Sequence, residues 1–228
     1  MHRLVLLLLL APSAHAETVG ELLAAVADGA GFAAPTRADV RITRGSDVET
    51  QAVLVGRGHT LYVELRDATR ALLHPGKLLV AHQTHVVRAK PGMPLDGTDL
   101  LLEDLVPFSA RLLQVPQIND DGPAGVVVSG APAGTSTHTL LVFTIDRERM
   151  VVVRTQYYRD SISNLVRVRR DDAFVEIARR WRPGEITVDD LRQRTSTHLA
   201  LTWREAPDVD PVVFTPAGLR RPPMLGAN

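Results

Sequence analysis

The sequence contains no cysteine, so no disulfide braces the fold and no lipid can be attached through an N-terminal cysteine. Net charge is missing as well. The formal balance is +0, with 26 Lys and Arg against 26 Asp and Glu, and the arginines are scattered among carboxylates. No basic face is expected that would hold a phosphate backbone, which argues against nucleic acid as a partner. Aromatic residues make up only 4%, so the core must be built from Val, Leu, Ile and Ala, with the few rings marking special places. No internal repeat is visible, and no glycine loop is of the phosphate-binding kind. After the N-terminus no apolar run approaches the roughly 18 to 20 residues that a membrane-crossing helix needs.

What is present is ordinary for a globular chain: 228 residues, 45% hydrophobic and 23% charged, which suits one large domain. The first residues form an address. His2-Arg3 are followed by an apolar run from Leu4 to Ala11 and by the small-x-small signal Ala14-His15-Ala16, the pattern of an export signal. The expectation is a signal peptide over residues 1–16, cleavage before Glu17, and a single soluble domain over residues 17–228 in the periplasm.

Most of the mature chain reads as strand. Val40 and Ile42, then Leu61, Val63 and Leu65, alternate with polar neighbours at a period of two. Residues 51–55, 71–74 and 77–82 add short strands, the last two parted by Pro75-Gly76, and residues 126–128 and 139–145 resume the pattern. From residue 150 to 203 a meander of consecutive strands follows, in which Val151, Val153, Thr155 and Tyr157 share one parity and Thr197, Leu199, Leu201 and Trp203 share another. Residues 31–35 read as a loop. About ten antiparallel strands are expected, enough to curl or close.

Two short helices interrupt the strands. Thr18-Val19-Gly20-Glu21 has the form of a capping box, and Val19, Leu22, Leu23 and Val26 recur at helical spacing up to about Asp28-Gly29. Residues 98–105, with Leu102 and Leu105, suggest one or two helical turns capped by Thr98 or Asp99. The tail is rich in proline and predicts one short turn near residues 214–220.

Candidates for chemistry are sparse. His74, His82 and His85 could in principle hold a zinc ion. However, His82 and His85 have opposite strand parity unless a turn intervenes, and no carboxylate is placed to orient them. The run from Gly134 to His138 begins like a nucleophile elbow but lacks the closing glycine and the change from strand to helix, and reads as a loop. Asp171-Asp172 and Asp189-Asp190 are adjacent on strands and so face apart, which suits turns or solvated edges better than acid/base work. The apolar faces have two readings: a plain core, or a cavity between sheet and helices large enough for an acyl chain. On the second, Val40, Ile42, Leu61, Val63, Val151, Val153, Leu199, Leu201 and Trp203 are the candidate lining residues and Leu22, Leu23, Val26, Leu102 and Leu105 the lid.

The run from Gly97 to Leu105 resembles the glycine, small polar, aspartate, then glutamate-aspartate-leucine motif of the outer membrane lipoprotein-sorting proteins, relatives of the periplasmic lipoprotein carrier LolA. The run from Val152 to Tyr158 is similar in order and spacing, as are Pro183 to Leu191 with Thr195 after the turn, and Asp210 to Thr215 followed by Leu219. Two segments depart: residues 159–164 replace the usual aspartate-glycine turn, and residues 77–89 carry histidines where the family tends to show tyrosine and proline. The resemblance implies a mainly β fold with short helices, a curved, incomplete antiparallel β-barrel closed by a helical lid. It implies a hydrophobic cavity that receives the acyl chains of a lipoprotein or lipid for transfer toward the outer membrane, with no enzyme activity and no cofactor. An inner-membrane transporter of the resistance-nodulation-division type is the implied partner, and a monomer is expected. The family's lid-latching arginine cannot be carried over, because no arginine here sits in a motif that identifies it. Two other functions compete. A sensor of envelope lipid state would use the same cavity, and a metal-dependent hydrolase would use the histidines.

Overall fold

The computed structural model describes residues 18–45, 48–83, 85–95, 98–133 and 136–221. The export signal read at residues 1–16, its cleavage before Glu17, and Gly97, Gly134 and Thr135 of the motifs above lie outside the described residues.

Helix α1 (Val19–Ala30) opens with the capping box visible in the sequence. Glu21 N donates to Thr18 Oγ1 at 3.2 Å and Thr18 N donates to Glu21 Oε2 at 2.8 Å, so two of the helix's otherwise orphaned N–H groups are satisfied. Six strands follow: β1 (Phe32–Arg44), β2 (Val48–Gly58), β3 (Thr60–Leu65), β4 (Arg70–His74), β5 (Lys77–His82) and β6 (His85–Arg88). A strap then crosses the sheet and contains the single turn of α2 (Leu102–Leu105). Beyond it come β7 (Leu113–Gly122), β8 (Gly125–Pro132), β9 (Leu140–Asp146), β10 (Val151–Tyr158) and β11 (Leu165–Asp172). A small hairpin, β12 (Val175–Ile177) and β13 (Arg180–Arg182), precedes β14 (Glu185–Asp190) and β15 (Thr195–Glu205), and two 3-10 turns, Pro211–Phe214 and Gly218–Arg220, end the described chain.

Thirteen strands form one antiparallel sheet in the order β6-β5-β4-β3-β2-β1-β15-β14-β11-β10-β9-β8-β7, with β12 and β13 pairing separately. The first and last long strands meet in its middle, where Val40 faces Leu201 and Ile42 faces Leu199. The sheet is not closed into a barrel. Its edges are β6 and β7, and β7 is a poor template for further pairing, being exposed, broken by register shifts and carrying Val115 at φ 44°.

Two apolar clusters lie under separate covers. In one, Val40, Ile42, Leu61, Val63, Leu199 and Leu201 pack against Leu95, Leu100, Leu102 and Leu105 of the strap. In the other, Leu22, Leu23 and Val26 of α1 pack on Val126, Val128, Phe143, Ile145 and Tyr157. On the other face of β2–β5, Val53, Val55, Tyr62, Leu72 and Ala81 are covered by Leu219, Val213 and Phe214. The buried Arg70 ties this tail down by donating to the carbonyls of Arg221 and Gln83.

Several expectations need correction. The loop expected at residues 31–35 is instead the start of β1, which reaches Gly58 through a bulge between Phe32 and Thr36. The Phe32 ring lies over Gly56, where an added Cβ would stand 2.4 Å from it, so only glycine permits that approach. Strand β7 was not expected, since its polar, proline-containing run shows no alternation. Helix α2 is one turn, and its cap bond is Leu101 N to the Asp104 carboxylate at 2.7 Å, not one from Thr98 or Asp99.

Candidate functional site

Between α1, the strap and the sheet lies a cavity of about 210 Å³. Its wall gathers Phe32, Phe108, Phe143, Tyr157, Phe174, Trp181 and Trp203, seven of the ten aromatic residues in the chain. Phe108 meets Phe143 edge-on, with centroids 5.2 Å apart at 82°, and Phe32 leans on Trp203 at 6.1 Å, both within the range of favourable ring pairs. Trp203 Nε1 donates to Pro183 O at 2.8 Å, which fixes the indole at the wall. Val26 and Leu105 contribute from the two covers, and Leu61, Ile186 and Leu201 from the sheet. The space is smaller than the ~300–1,000 Å³ typical of drug-sized ligand sites, so a long chain fits only if a cover gives way.

A polar frame runs through the middle of this apolar face. Ile186 faces Asp171 and Val188 faces Arg169 across β14 and β11, which sets Arg167, Arg169 and Asp171 on the inward parity of β11. Arg167 donates through Nη2 to Asp104 Oδ2 at 2.6 Å and to Asp99 O at 2.7 Å. The Asp104 carboxylate also accepts from Tyr157 Oη at 2.9 Å and Leu101 N at 2.7 Å. Arg169 grips Asp171 in a fork, 2.6 Å on each arm, and donates to the Asp104 carbonyl. Asp99 accepts from Thr195 Oγ1 at 2.7 Å and Thr197 Oγ1 at 3.1 Å and pairs with Arg44 at 3.0 Å. Bidentate, fully bonded pairs of this kind are the ones that offset the cost of desolvating the charges. Burial and the Asp104 charge push the Tyr157 phenol well above its ordinary range. Burial works to lower the Arg167 pKa, but the Asp104 carboxylate outweighs it and holds the guanidinium charged.

Arg182 is a buried arginine at the cavity wall. It donates to the carbonyls of Gly29 at 3.1 Å and Gly31 at 2.5 Å, closing the end of α1, and its Cζ stands 4.2 Å from the Phe32 ring centroid. Burial, helped by the neighbouring Arg180 charge, lowers its pKa to about 10, so it stays protonated at neutral pH.

The expected lining residues divide into three groups. Leu61, Val151, Leu201 and Trp203 border the cavity. Val40, Ile42, Val63 and Leu199 lie in the packed cluster beside it. Val153 borders neither, because β10 pairs Val152 with Ile145 and Arg154 with Thr144, leaving Val153 as the extra residue of a bulge. Of the expected lid residues, Val26 and Leu105 face the cavity, while Leu22, Leu23 and Leu102 are buried behind it.

The β11 arginines and Arg182 were not named from the sequence, since arginine is mostly an exposed residue and nothing local marks these as buried. One signal was available. Asp104 sits among four leucines, and a carboxylate in such a segment needs a cation if the segment is buried. Asp171 is likewise a buried, paired group and not the turn or edge residue expected.

The histidines do not converge as a triad. A turn brings His82 opposite His85 across β5 and β6, while His74 pairs with Lys77 at the far end of β5, roughly 16 Å away at the strand rise. Among the described residues no three His, Cys, Asp or Glu side chains come together to hold a metal. His138 is buried near Glu103, with Nδ1 3.3 Å from Oε1, and its ring packs on Tyr157 at 4.9 Å.

Residues 86–221, more than half of the chain, match the model of a family whose description is "uncharacterized protein". The chain belongs to that family. The matched span carries the strap, the β11 arginines and Arg182. No curated protein matches the sequence. Solved structures resemble it closely in shape. One is an outer membrane lipoprotein-sorting protein domain from Vibrio parahaemolyticus, 14% identical with a TM-score of 0.71 over 87% of this chain and 97% of that one. A DUF1329 family protein from Desulfovibrio piger is 15% identical at 0.71 over 88% and 97%. A LolA superfamily protein from Nitrosomonas europaea is 15% identical at 0.66 over 86% and 97%. At such identities the likeness is one of fold, and the fold is LolA-like, as the motif resemblance implied.

Proposed function

We propose that this protein is a periplasmic carrier that takes up the acyl chains of a lipoprotein or lipid in the cavity between α1, the strap and the sheet, for transfer toward the outer membrane. The observation that carries this reading is the concentration of seven aromatic residues around one apolar space in a chain that has ten. A protein building only a core has no reason to gather its scarce rings beside a void, since filling it would gain dispersion contacts. The lining named from the sequence and the lid residues Leu22, Leu23, Val26, Leu102 and Leu105 serve in this reading as wall and cover. The names of the similar structures support a lipoprotein-sorting role by analogy of fold.

The reading needs no bond-making step and no cofactor. Among the described residues no helix is long and apolar enough to cross a membrane, and the export signal in the sequence supports the periplasm. A membrane transporter of the resistance-nodulation-division type is the proposed partner on the resemblance alone, and the sensor alternative gains no observation of its own. Native mass spectrometry of protein purified from an exporting host tests the proposal: it should show acyl-bearing species that leave on unfolding. Protein that is empty and takes up no acyl ligand from micelles or vesicles would rule the carrier out.

A further inference from the structure

Arg182 brings to the cavity a charge that an acyl chain does not need. A guanidinium has five N–H donors, and three are used here, two on Nη1 to the carbonyls of Gly29 and Trp181 and one on Nη2 to that of Gly31. The remaining two are on Nε and Nη2, the pair of nitrogens that a carboxylate or phosphate can bridge in bidentate fashion. The nearby acids are committed elsewhere: Asp28 to Arg180 at 2.6 Å, Asp171 to Arg169 and Asp104 to Arg167. Among the described residues no carboxylate pairs with Arg182, although it is only 6% exposed. The Phe32 ring holds the guanidinium plane. A buried cation without a counter-ion is costly to keep, and that cost falls when an anion arrives.

We infer that Arg182 anchors the anionic head, a carboxylate or phosphate monoester, of a single-chain amphiphile whose alkyl chain lies along the aromatic wall toward Phe143 and Leu201. This rests on the reading of the cavity as an acyl site. It makes the cargo a molecule with an acidic end near the close of α1, and it separates this site from one that takes only neutral acyl esters.

The test compares hexadecanoic acid, hexadecyl phosphate and methyl hexadecanoate on the whole mature protein by the emission of Trp181 and Trp203 and by calorimetry, with acetate and inorganic phosphate as chainless controls. The acid and the alkyl phosphate should bind at least about tenfold more tightly than the ester. Arg182→Met, which keeps the length and the contact with Phe32, should bring all three to within about twofold of one another. Arg182→Lys, which keeps the charge but not the fork, should lie between, and serves if the Met variant does not fold. Equal binding of acid and ester by the wild type would overturn the anchor and leave the acyl reading standing. Failure of all three ligands would remove both. Inorganic phosphate binding as tightly as hexadecyl phosphate would make this a bare anion site and overturn the amphiphile.

Discussion

Asp104 shows how one residue holds a cover in place. Its carboxylate accepts from Arg167, Tyr157 and Leu101, and its own carbonyl accepts from Arg169, so the strap is tied to two neighbouring strands at a residue only 1% exposed. Removing one partner of such a pair leaves the other charge buried and uncompensated, at a cost of about 3–5 kcal/mol. Asp104→Ala should therefore lower the free energy of unfolding in urea by that order. Adding Arg167→Met should recover part of the loss, because the stranded cation goes with it. A double variant no more stable than the single one would mean that the strap is held by its leucines and that the ion pair contributes nothing. The same residue explains a limit of sequence reading. Its arginine partners lie more than sixty positions away, on a strand whose alternating valines and arginines look amphipathic, and only the register from β14 shows that the arginines point inward.

At the scale of elements, legibility followed patterning. Strands β4 and β5 fall close to where Pro75-Gly76 and the apolar runs put them, and the capping box marks the start of α1. What failed to show was irregular: the bulged beginning of β1, the exposed edge strand β7 and the extra residue Val153 in β10. A bulge reverses parity without a compositional mark, so no period count can find it. The cap of α1 makes a testable claim about pH. Glu21 is held below its ordinary pKa of 4.5 by the Thr18 N–H and hydroxyl. A depressed folded pKa means that the cap's contribution is complete above that value and is lost as pH falls through the folded one. Amide protection at the first turn of α1, taken relative to the intrinsic exchange rate at each pH, should fall on that acid side, and in Thr18→Ala the fall should shrink and the helix should lose roughly 0.5–2 kcal/mol at neutral pH. In β15 the parity itself can be tested. Leu201 borders the cavity and Thr202 is exposed, so Leu201→Asp should abolish acyl uptake while Thr202→Asp leaves it within about twofold. Equal sensitivity at both positions would reduce the apolar face to a core.

For the molecule as a whole, the proposed carrier role requires that a cavity of about 210 Å³ admit a long chain and give it up again. Each buried methylene is worth about 0.8 kcal/mol, whether the chain enters a membrane or a pocket, so a carrier must nearly match the membrane and yet release. The few rings that the composition allows gather at the cavity, seven of ten, which makes tight holding the problem and shifts the burden of release onto a moving cover. The two covers differ in what holds them. The strap is pinned by buried ion pairs, whereas α1 rests on apolar contacts, the Arg182 bonds to its last turn and one exposed pair, Asp28 with Arg180 at 2.6 Å. An exposed pair of that sort contributes about 0–1 kcal/mol, so α1 is the cover that should yield. Because the chain has no cysteine, Asp28→Cys with Arg180→Cys can be bridged by a short thiol-reactive cross-linker without side reactions. The cross-linked protein should lose uptake of hexadecyl ligands, and the uncross-linked double variant should retain it within a few-fold. Within the loading range, affinity in the free protein should rise about fourfold per added methylene and level off once the chain outgrows the opened space. Uptake by the cross-linked protein at the normal rate would place the entrance elsewhere and leave α1 a fixed part of the wall.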